Sequence, residues 1–294
     1  MRWSIAGLVW LGLMAVLAMA QAPVTPGTPT SKVGVPPTAV MPNYPPLSER
    51  SQKFLDAYLK AWEDRMKSIE GLETKLKLTE IADKEQTVYN GEATIMRPNF
   101  AKMFLRQSDD PTNAKRWRHY IADGSYLWDY QYKTKVAKVA KLPKENIGDN
   151  TLLSFMFGMK ADEIKKRYHI TVEPENPDKF NEHYVHLMIL PKTREDMQEF
   201  AKAELVLWKN NKDPKYADYW MLPARLWFQH PNKNQVIWEF NGMNTQKKLI
   251  ARDFSAPAFP DKEWTREWAV NPNEKQLSPT TVRQSTGTLD PIKK

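Results

Sequence analysis

The sequence predicts an α+β protein in which an amphipathic helix packs on one antiparallel sheet. Apolar residues recur at helical spacing near the start of the central region, many short segments with alternating apolar residues follow, and turn-forming residues separate these segments. The chain has 294 residues and 41% of them are hydrophobic, which is enough for a domain with a substantial core.

The two ends of the chain differ in composition from its middle. Residues 1–20, MRWSIAGLVWLGLMAVLAMA, have a basic start, an apolar run and a small-x-small ending, which predicts a signal peptide cleaved after Ala20. An uncleaved membrane anchor is the alternative. Residues 21–47 form a predicted Pro-rich, disordered spacer, and 271–294 a disordered polar tail. We therefore expect a periplasmic or otherwise exported protein with its folded domain at 48–270.

Charge and cysteine content narrow the function classes. The formal net charge is +8, and removal of the signal peptide takes away Arg2, which leaves 8 − 1 = +7. In an exported protein this excess favours an anionic envelope surface or an acidic partner over nucleic acid, although a general role in solubility is the leading explanation. The chain has 0 Cys, which excludes disulfides and the lipid-modified cysteine of a bacterial lipoprotein.

The predicted domain opens with one helix. SERSQKFLDAYLKAWEDRMKSI has apolar residues at steps of three and four, behind Ser48 or Ser51 as a possible cap, and we expect the helix to end near Gly71. The apolar stripe comprises Phe54, Leu55, Tyr58, Leu59, Trp62, Met66 and Ile69.

After this helix the apolar period becomes two, which predicts strands. The predicted strands are LETKLKLTE, QTVYNGEATIM, FAKMFLR, RWRHYIA, SYLWDYQY, KVAKVAKL, YHITVEP, HYVHLMIL, AELVLWK, ARLWFQHP, QVIWEFN and KLIARDF. One antiparallel sheet with the strands in chain order is the simplest arrangement. Between its halves, DNTLLSFMFGMKADEIKKRY is predicted to be partly helical.

Residues with catalytic or metal-binding potential are scattered. His183 and His186 are close in sequence, but a step of three along a strand places them on opposite faces, so we expect no metal site. The chain has no Cys nucleophile, no G-x-S-x-G motif and no phosphate-binding glycine loop. We therefore expect no enzyme activity and no cofactor.

The 11 Trp, 13 Met, 11 Phe and 11 Tyr suggest two structural explanations. A curved antiparallel sheet with one face of large residues either packs a helix as an ordinary core or encloses an apolar pocket. Methionine suits both, because its flexible thioether adapts to acyl chains and to irregular cores.

The order of the motifs resembles that of the LolA-like family of periplasmic lipoprotein carriers, and suggests a diverged branch. GEATIMRPNFAKMF is similar to the family's strand-turn-strand with Arg-Pro-Asn at its corner, and YIADGSYLWDYQYKTKVAKVAKL resembles its hairpin. DNTLLSFMFGM with KKRYHITVEP is similar to the helical lid and its return strand. HYVHLMILPK and RDFSAPAFP resemble later parts of the family pattern.

This resemblance implies a half-open antiparallel β-barrel, with an apolar concave face and covering lid helices, that carries lipoprotein acyl chains. It makes Arg97 the arginine that hydrogen-bonds the lid in the closed, empty state, with Pro98 ending the strand and fixing the turn. The implied acyl-binding residues, which are equally compatible with an ordinary core, are Leu55, Leu59, Trp62, Ala101, Met103, Leu105, Trp128, Tyr130, Leu152, Leu153, Phe155 and Met156.

The leading hypothesis is therefore an exported carrier or sensor that binds acyl chains of a lipoprotein or a free lipid without covalent chemistry. Donor and acceptor proteins of the envelope and peripheral membrane contact are its possible partners. The alternative is a non-catalytic envelope scaffold or interaction protein whose barrel is filled by its own side chains, and an exported hydrolase is a more distant one.

Overall fold

The computed structural model describes residues 42–142, 160–173, 183–209, 214–257 and 263–268. The predicted signal peptide, most of the spacer, the polar tail and the apolar part of the lid segment lie outside these residues. The predicted boundaries of the folded domain therefore stay a prediction. None of the helices in the described ranges is long and apolar enough to cross a membrane.

The described part consists of short helices around one large sheet. The α-helices are α1 (Glu49–Ser68), α2 (Ala161–Arg167) and α3 (Arg194–Glu199), and the 3₁₀ helices are Ala114–Arg116, Pro214–Tyr219 and Ala251–Phe254. The strands are β1 (Gly71–Ala82), β2 (Glu85–Met96), β3 (Phe100–Gln107), β4 (Arg118–Asp123), β5 (Tyr126–Gln131), β6 (Val136–Lys141), β7 (Tyr168–Glu173), β8 (Tyr184–Pro191), β9 (Lys202–Trp208), β10 (Pro223–Gln229), β11 (Gln235–Asn244) and β12 (Thr265–Trp268).

These strands form one open sheet in the order β12-β6-β5-β4-β3-β2-β1-β11-β10-β9-β8-β7. The predicted α+β class and open, mostly antiparallel architecture are confirmed. The expected arrangement in simple chain order is wrong at two places. β1 pairs with β11 and joins two meanders, and β12 pairs in parallel with β6. As a result β7 is one edge of the sheet, whereas β6, which precedes the lid segment in the sequence, lies beside the other edge strand, β12.

Helix α1 begins and packs as its sequence predicts. Ser48 is the N-cap, since its Oγ accepts a hydrogen bond of 3.2 Å from the main-chain N–H of Ser51. The helix ends at Ser68, slightly before the expected position. Its apolar stripe faces the sheet, and Leu59 and Trp62 are completely buried in the core.

The segment KLIARDF is not a strand, in contrast to the prediction. Its last four residues form the 3₁₀ helix Ala251–Phe254, where the Asp253 carboxylate accepts a hydrogen bond from the main-chain N–H of Ile250 at 3.0 Å. Phe254 is fully buried and packs on Phe100, with ring centroids 5.5 Å apart. A local side-chain cap and one aromatic anchor thus prevail over the strand pattern.

The core is divided between the two faces of the sheet. The larger cluster fills the concave face beneath α1 and extends over β1 to β3 and β7 to β11. A smaller cluster of Ile121, Tyr130, Ala137 and Trp264 lies on the convex face of β4 to β6. The convex cluster includes Trp264, which directly precedes β12, so the C-terminal part of the chain covers this face.

Leu59→Ala is expected to lower the free energy of unfolding by about 2–5 kcal/mol, because it leaves a cavity between α1 and the sheet. Lys60→Ala, at the neighbouring exposed position, is the control and should change it by less than about 0.5 kcal/mol. Urea denaturation of both variants measures the difference. Equal stability of the two would contradict the placement of α1.

Candidate functional site

The structure brings the first group of acyl-binding candidates together on the concave face. Leu55, Leu59 and Trp62 of α1 are buried in the same cluster as Leu105 of β3. Ala101 and Met103 are partly buried and pack against this cluster, so the sequence-based prediction that they share a face with Leu105 agrees with the structure. In the described structure these side chains contribute to an ordinary core as well as to a candidate site.

Trp128 and Tyr130 lie on the other face of the sheet. Trp128 is directly opposite Ile121, whereas the concave-face residue Met103 is directly opposite Tyr120. Tyr130 packs in the convex cluster against Trp264, with ring centroids 6.0 Å apart. The structure therefore does not place these two aromatic residues with the stripe of α1.

The lid candidates Leu152, Leu153, Phe155 and Met156 lie outside the described residues. The described part of the chain resumes just before α2, and two contacts hold α2 against α1. The Glu63 carboxylate accepts a hydrogen bond of 3.0 Å from the main-chain N–H of Ala161, and Lys165 Nζ donates to Asp56 Oδ1 at 2.9 Å. The hydrogen bond and charge of Lys165 lower the pKa of Asp56, while burial acts in the opposite direction.

A row of apolar residues crosses the concave face from β1 to β6. Each member is directly opposite the next on the neighbouring strand, so all of them project from the same face. At about 4.8 Å per strand, the row extends over about 24 Å. We call it the apolar row, and it consists of Leu72, Ile95, Ala101, Ala122, Leu127 and Ala140.

Arg97 fastens the end of α1 over the first residues of this row. Its Nε donates to the main-chain oxygen of Ile69 at 3.2 Å and its Nη2 to that of Met66 at 3.0 Å. Both acceptors are at the C-terminal end of α1, where a cation also interacts favourably with the helix dipole. Met66, Ile69 and Arg97 line a cavity of about 10 Å³ together with Leu72 and Ile95, which is room for about one water molecule.

This placement gives Arg97 a partner that the resemblance did not identify. The resemblance implied a bond to the lid, whereas the bonds described here go to α1. The predicted contact with segment 151–159 falls outside the described residues and stays a prediction. Burial lowers the pKa of Arg97, but an arginine retains its charge at all physiological pH values.

Polar side chains lie beside the apolar row on β4 to β6. The next row along the concave face runs from Met103 to Tyr120, Asp129 and Lys138, each directly opposite its neighbour. Asp129 is only 2% exposed and accepts a hydrogen bond of 3.0 Å from Gln131 Nε2. Burial raises the pKa of Asp129 to about 6, and the Gln131 bond offsets part of this shift.

A second polar group borders Asp129 and Tyr120. Arg118 forms two hydrogen bonds to the Glu80 carboxylate, of 2.6 Å and 2.8 Å, and one of 3.0 Å to Tyr89 Oη. Burial alone would lower the pKa of Arg118, but the hydrogen bonds and charge of Glu80 raise it. The bidentate geometry holds Arg118 and Glu80 together within the concave face.

Sequence reasoning missed Tyr120, Asp129 and the Arg118–Glu80 pair, although a signal for the first two was present. Gly124 and Ser125 form a two-residue loop between β4 and β5, and Gly124 has φ +93°. Such a loop fixes the register of β4 against β5, so Tyr120 lies directly opposite Asp129 on one face of the sheet, and Trp128 projects from the other face. By contrast, no sequence signal links Glu80 on β1 to Arg118 on β4, because two strands lie between them in the sheet.

Within the described ranges, no group of three His, Cys, Asp or Glu residues is arranged to hold a metal ion. No protein-family model matches the chain, and no curated protein matches it.

Several solved structures are similar to it in fold. An uncharacterized conserved protein from Thermus thermophilus has a TM-score of 0.40 at 10% identity, over 72% of this chain and 98% of that one. A LolA superfamily protein from Nitrosomonas europaea has 0.36 at 11%, over 69% and 97%. A putative outer membrane lipoprotein-sorting protein domain from Vibrio parahaemolyticus has 0.36 at 12%, over 68% and 97%. At these scores and identities, the similarities say nothing about what this chain binds.

Asp129 and His119 are expected to affect the pH dependence of stability in opposite directions. Asp129 has a folded pKa of about 6 against an ordinary 3.8, so its contribution to stability falls as the pH rises through this window. Burial, with Lys102 nearby, lowers the pKa of His119 from 6.5 to about 4, so its contribution rises as the pH rises. Relative to the wild type, the free energy of unfolding of Asp129→Asn should rise by roughly 3 kcal/mol more as the pH increases from the ordinary pKa of Asp129 to its folded pKa. For His119→Phe it should fall by a similar amount, relative to the wild type, as the pH increases from the folded pKa of His119 to its ordinary pKa.

Urea denaturation between pH 4 and pH 7 measures both slopes. The double variant is the control, and its slope should lie near that of the wild type because the two effects cancel. Parallel pH profiles for the wild type and Asp129→Asn would show that this carboxyl group titrates normally.

Arg97→Leu is expected to lower the free energy of unfolding by about 1–3 kcal/mol, since it removes two hydrogen bonds to main-chain carbonyl groups at the end of α1. Hydrogen exchange should become faster around Ser68 to Glu70 in particular. Arg97→Lys retains the positive charge and should recover part of the loss. Unchanged exchange in Arg97→Leu would show that Arg97 does not hold the end of α1.

Proposed function

We propose that this chain is an exported, non-catalytic carrier or sensor that binds acyl chains of a lipoprotein or a free lipid on the concave face of its sheet. The observation that carries this proposal is the apolar row, which crosses six consecutive strands beside the fastened end of α1. The resemblance of the sequence motifs to the LolA-like family supports the same function.

The dimensions and energetics of the apolar row suit a hydrocarbon chain. One leaflet of a bilayer core is about 15 Å thick, so a single acyl chain fits within the row of about 24 Å. Each buried methylene contributes about 0.8 kcal/mol, so binding requires no catalytic or covalent step. Leu72, Ile95, Ala122 and Ala140 are buried, so a chain reaches them only when the parts of the protein that cover the row move aside.

Access to the row in this proposal depends on Arg97 and the lid. With Arg97 bonded to α1, Met66 and Ile69 cover Leu72 and Ile95 at one end of the row. Release of Arg97 allows this end of the helix to move and a chain to enter. Leu152, Leu153, Phe155 and Met156 then cover the chain from the lid segment.

The same proposal includes location and partners. The signal sequence supports export, and the charge of +7 that remains after its removal supports peripheral contact with an anionic membrane surface. Donor and acceptor proteins of the envelope exchange the cargo by opening the lid. Nucleic acid is not among the proposed partners.

One observation favours the alternative function of a scaffold with a filled barrel. Leu59 and Trp62 have 0% exposure, and α1 occupies the concave face over its half of the sheet without a sizeable gap. If the other half is filled in the same way, the basic surface and the chain ends mediate binding to partner proteins. The following experiment distinguishes the two functions.

Ala101→Phe is expected to reduce acyl-chain binding by about tenfold or more, because it places a large ring in the middle of the apolar row. Lys102→Phe adds the same ring at the next position on the convex face and should leave binding unchanged. Displacement of a fluorescent fatty acid measures both affinities, and native mass spectrometry of protein from its own envelope identifies a co-purified lipid.

A stoichiometric acylated species and selective loss in Ala101→Phe would support the carrier. Protein that is repeatedly isolated empty and takes up no fluorescent fatty acid would instead establish the scaffold. Equal effects of the two substitutions would show that the lipid binds elsewhere.

A further inference from the structure

We propose that the convex face of β3 to β6 and β12 docks on an anionic phospholipid bilayer. The residues that contact the lipid form the convex patch, which consists of Lys102, Arg106, Lys141, Ile250, Arg266 and Trp268. This inference rests on the export and the peripheral membrane contact of the proposed function. It identifies the surface that makes this contact.

The strand register brings four cations to the convex face. A row of side chains crosses this face from β3 to β12, each directly opposite the next, and consists of Lys102, Ile121, Trp128, Val139 and Trp268. Arg106 on β3, Lys141 on β6 and Arg266 on β12 are two or four residues from a member of this row, so they project from the same face. At about 4.8 Å per strand, the four spacings from β3 to β12 cover about 19 Å.

Positive charge predominates on this face. All four cations of the patch are exposed. Asp123 is the acidic residue that the described strands β3 to β6 and β12 project from the convex face. Its carboxylate accepts hydrogen bonds from the main-chain N–H groups of Ser125 and Tyr126, at 2.9 Å and 2.7 Å, and from Trp128 Nε1 at 2.7 Å. On β2 the exposed Glu92 projects from the same face and marks the boundary of the patch. Such a surface is complementary to anionic lipid.

The same face carries two exposed apolar side chains. Within the part of the chain that the structure describes, Ile250 and Trp268 are the large apolar residues with high exposure, 53% and 58%. Trp268 packs against the rings of Tyr126 and Trp128, with centroids 5.4 Å and 6.3 Å away. Its indole is therefore held on the convex surface while more than half of it stays accessible.

The neighbours of Ile250 place it on the convex side as well. Phe254 packs on Phe100, with ring centroids 5.5 Å apart. Leu249 covers Gly71, since a Cβ atom added to Gly71 would lie 2.7 Å from Leu249 Cδ1. Phe100 and Gly71 each directly precede a member of the apolar row, so they project from the opposite, convex face. Ile250 lies between these two contacts.

This combination of groups suits the interface of a bilayer. Tryptophan is enriched at membrane–water interfaces, and long basic side chains lie along apolar surface while their charged ends stay near the head groups. Arg106 shows this arrangement, with its guanidinium carbon 4.9 Å from the ring centroid of Phe104 and 5.4 Å from that of Trp117. Lys141 directly follows Ala140 of the apolar row, so docking brings that end of the row close to the lipid and leaves the concave face uncovered.

Co-sedimentation of the mature protein with vesicles tests the inference. Vesicles of equal parts phosphatidylcholine and phosphatidylglycerol should bind the wild type more tightly than vesicles of phosphatidylcholine alone. The double variant Lys102→Gln, Arg106→Gln should weaken binding to the anionic vesicles by about thirtyfold, because each basic residue near such a surface contributes about fivefold. Trp268→Ala should weaken it by about tenfold, because it removes an interfacial anchor.

The double variant Lys53→Gln, Lys60→Gln is the matched control. It removes the same charge from exposed positions of α1, on the other side of the sheet, and should leave vesicle binding unchanged. Equal losses in the two double variants would show that net charge alone acts. A wild type that does not bind the anionic vesicles would leave an acidic protein as the occupant of the patch. Either result overturns the inference, whereas displacement of a fluorescent fatty acid without vesicles still tests the carrier function by itself.

Discussion

The pairing of β1 with β11 is the constraint on which the rest of the architecture depends. It joins residues more than 150 positions apart, such as Leu78 and Trp238, and thereby connects two meanders into one sheet. β1 also follows α1 almost immediately, so the pairing keeps the helix close to the junction of the two meanders. With β1 and β11 paired at its centre, the sheet has its two free edges at β7 and at β12, which pairs with β6. The predicted lid segment lies between β6 and β7 in the sequence.

Whether a feature could be predicted from the sequence depends on how far apart its interacting residues are along the chain. The helical stripe of Leu55, Leu59 and Trp62 and the shared face of Met103 and Leu105 are local periodicities, and the structure agrees with both. The β1–β11 pairing and the parallel contact of β12 depend on contacts across the whole chain, and no local pattern encodes them.

The aromatic residues show why composition alone did not locate the site. The abundance of Trp and Tyr suggested a pocket, but Trp128, Tyr130 and Trp264 form a separate cluster on the convex face. The candidate site instead includes small residues, which the aromatic content of the sequence does not reveal. A stripe such as Ala101, Ala122 and Ala140 becomes visible only when the register is known, because its members are far apart in sequence.

In the proposed function, the concave face combines a permanent core with a surface that exchanges ligands. Leu59 and Trp62 hold α1 in place through complete burial, and exposing them would cost several kcal/mol each. The end of α1 is held differently, by two hydrogen bonds from Arg97 whose net contribution is about 1–3 kcal/mol together. Burial of about four methylenes offsets that loss. A longer acyl chain can thus lift the end of the helix while the rest of α1 keeps the sheet folded.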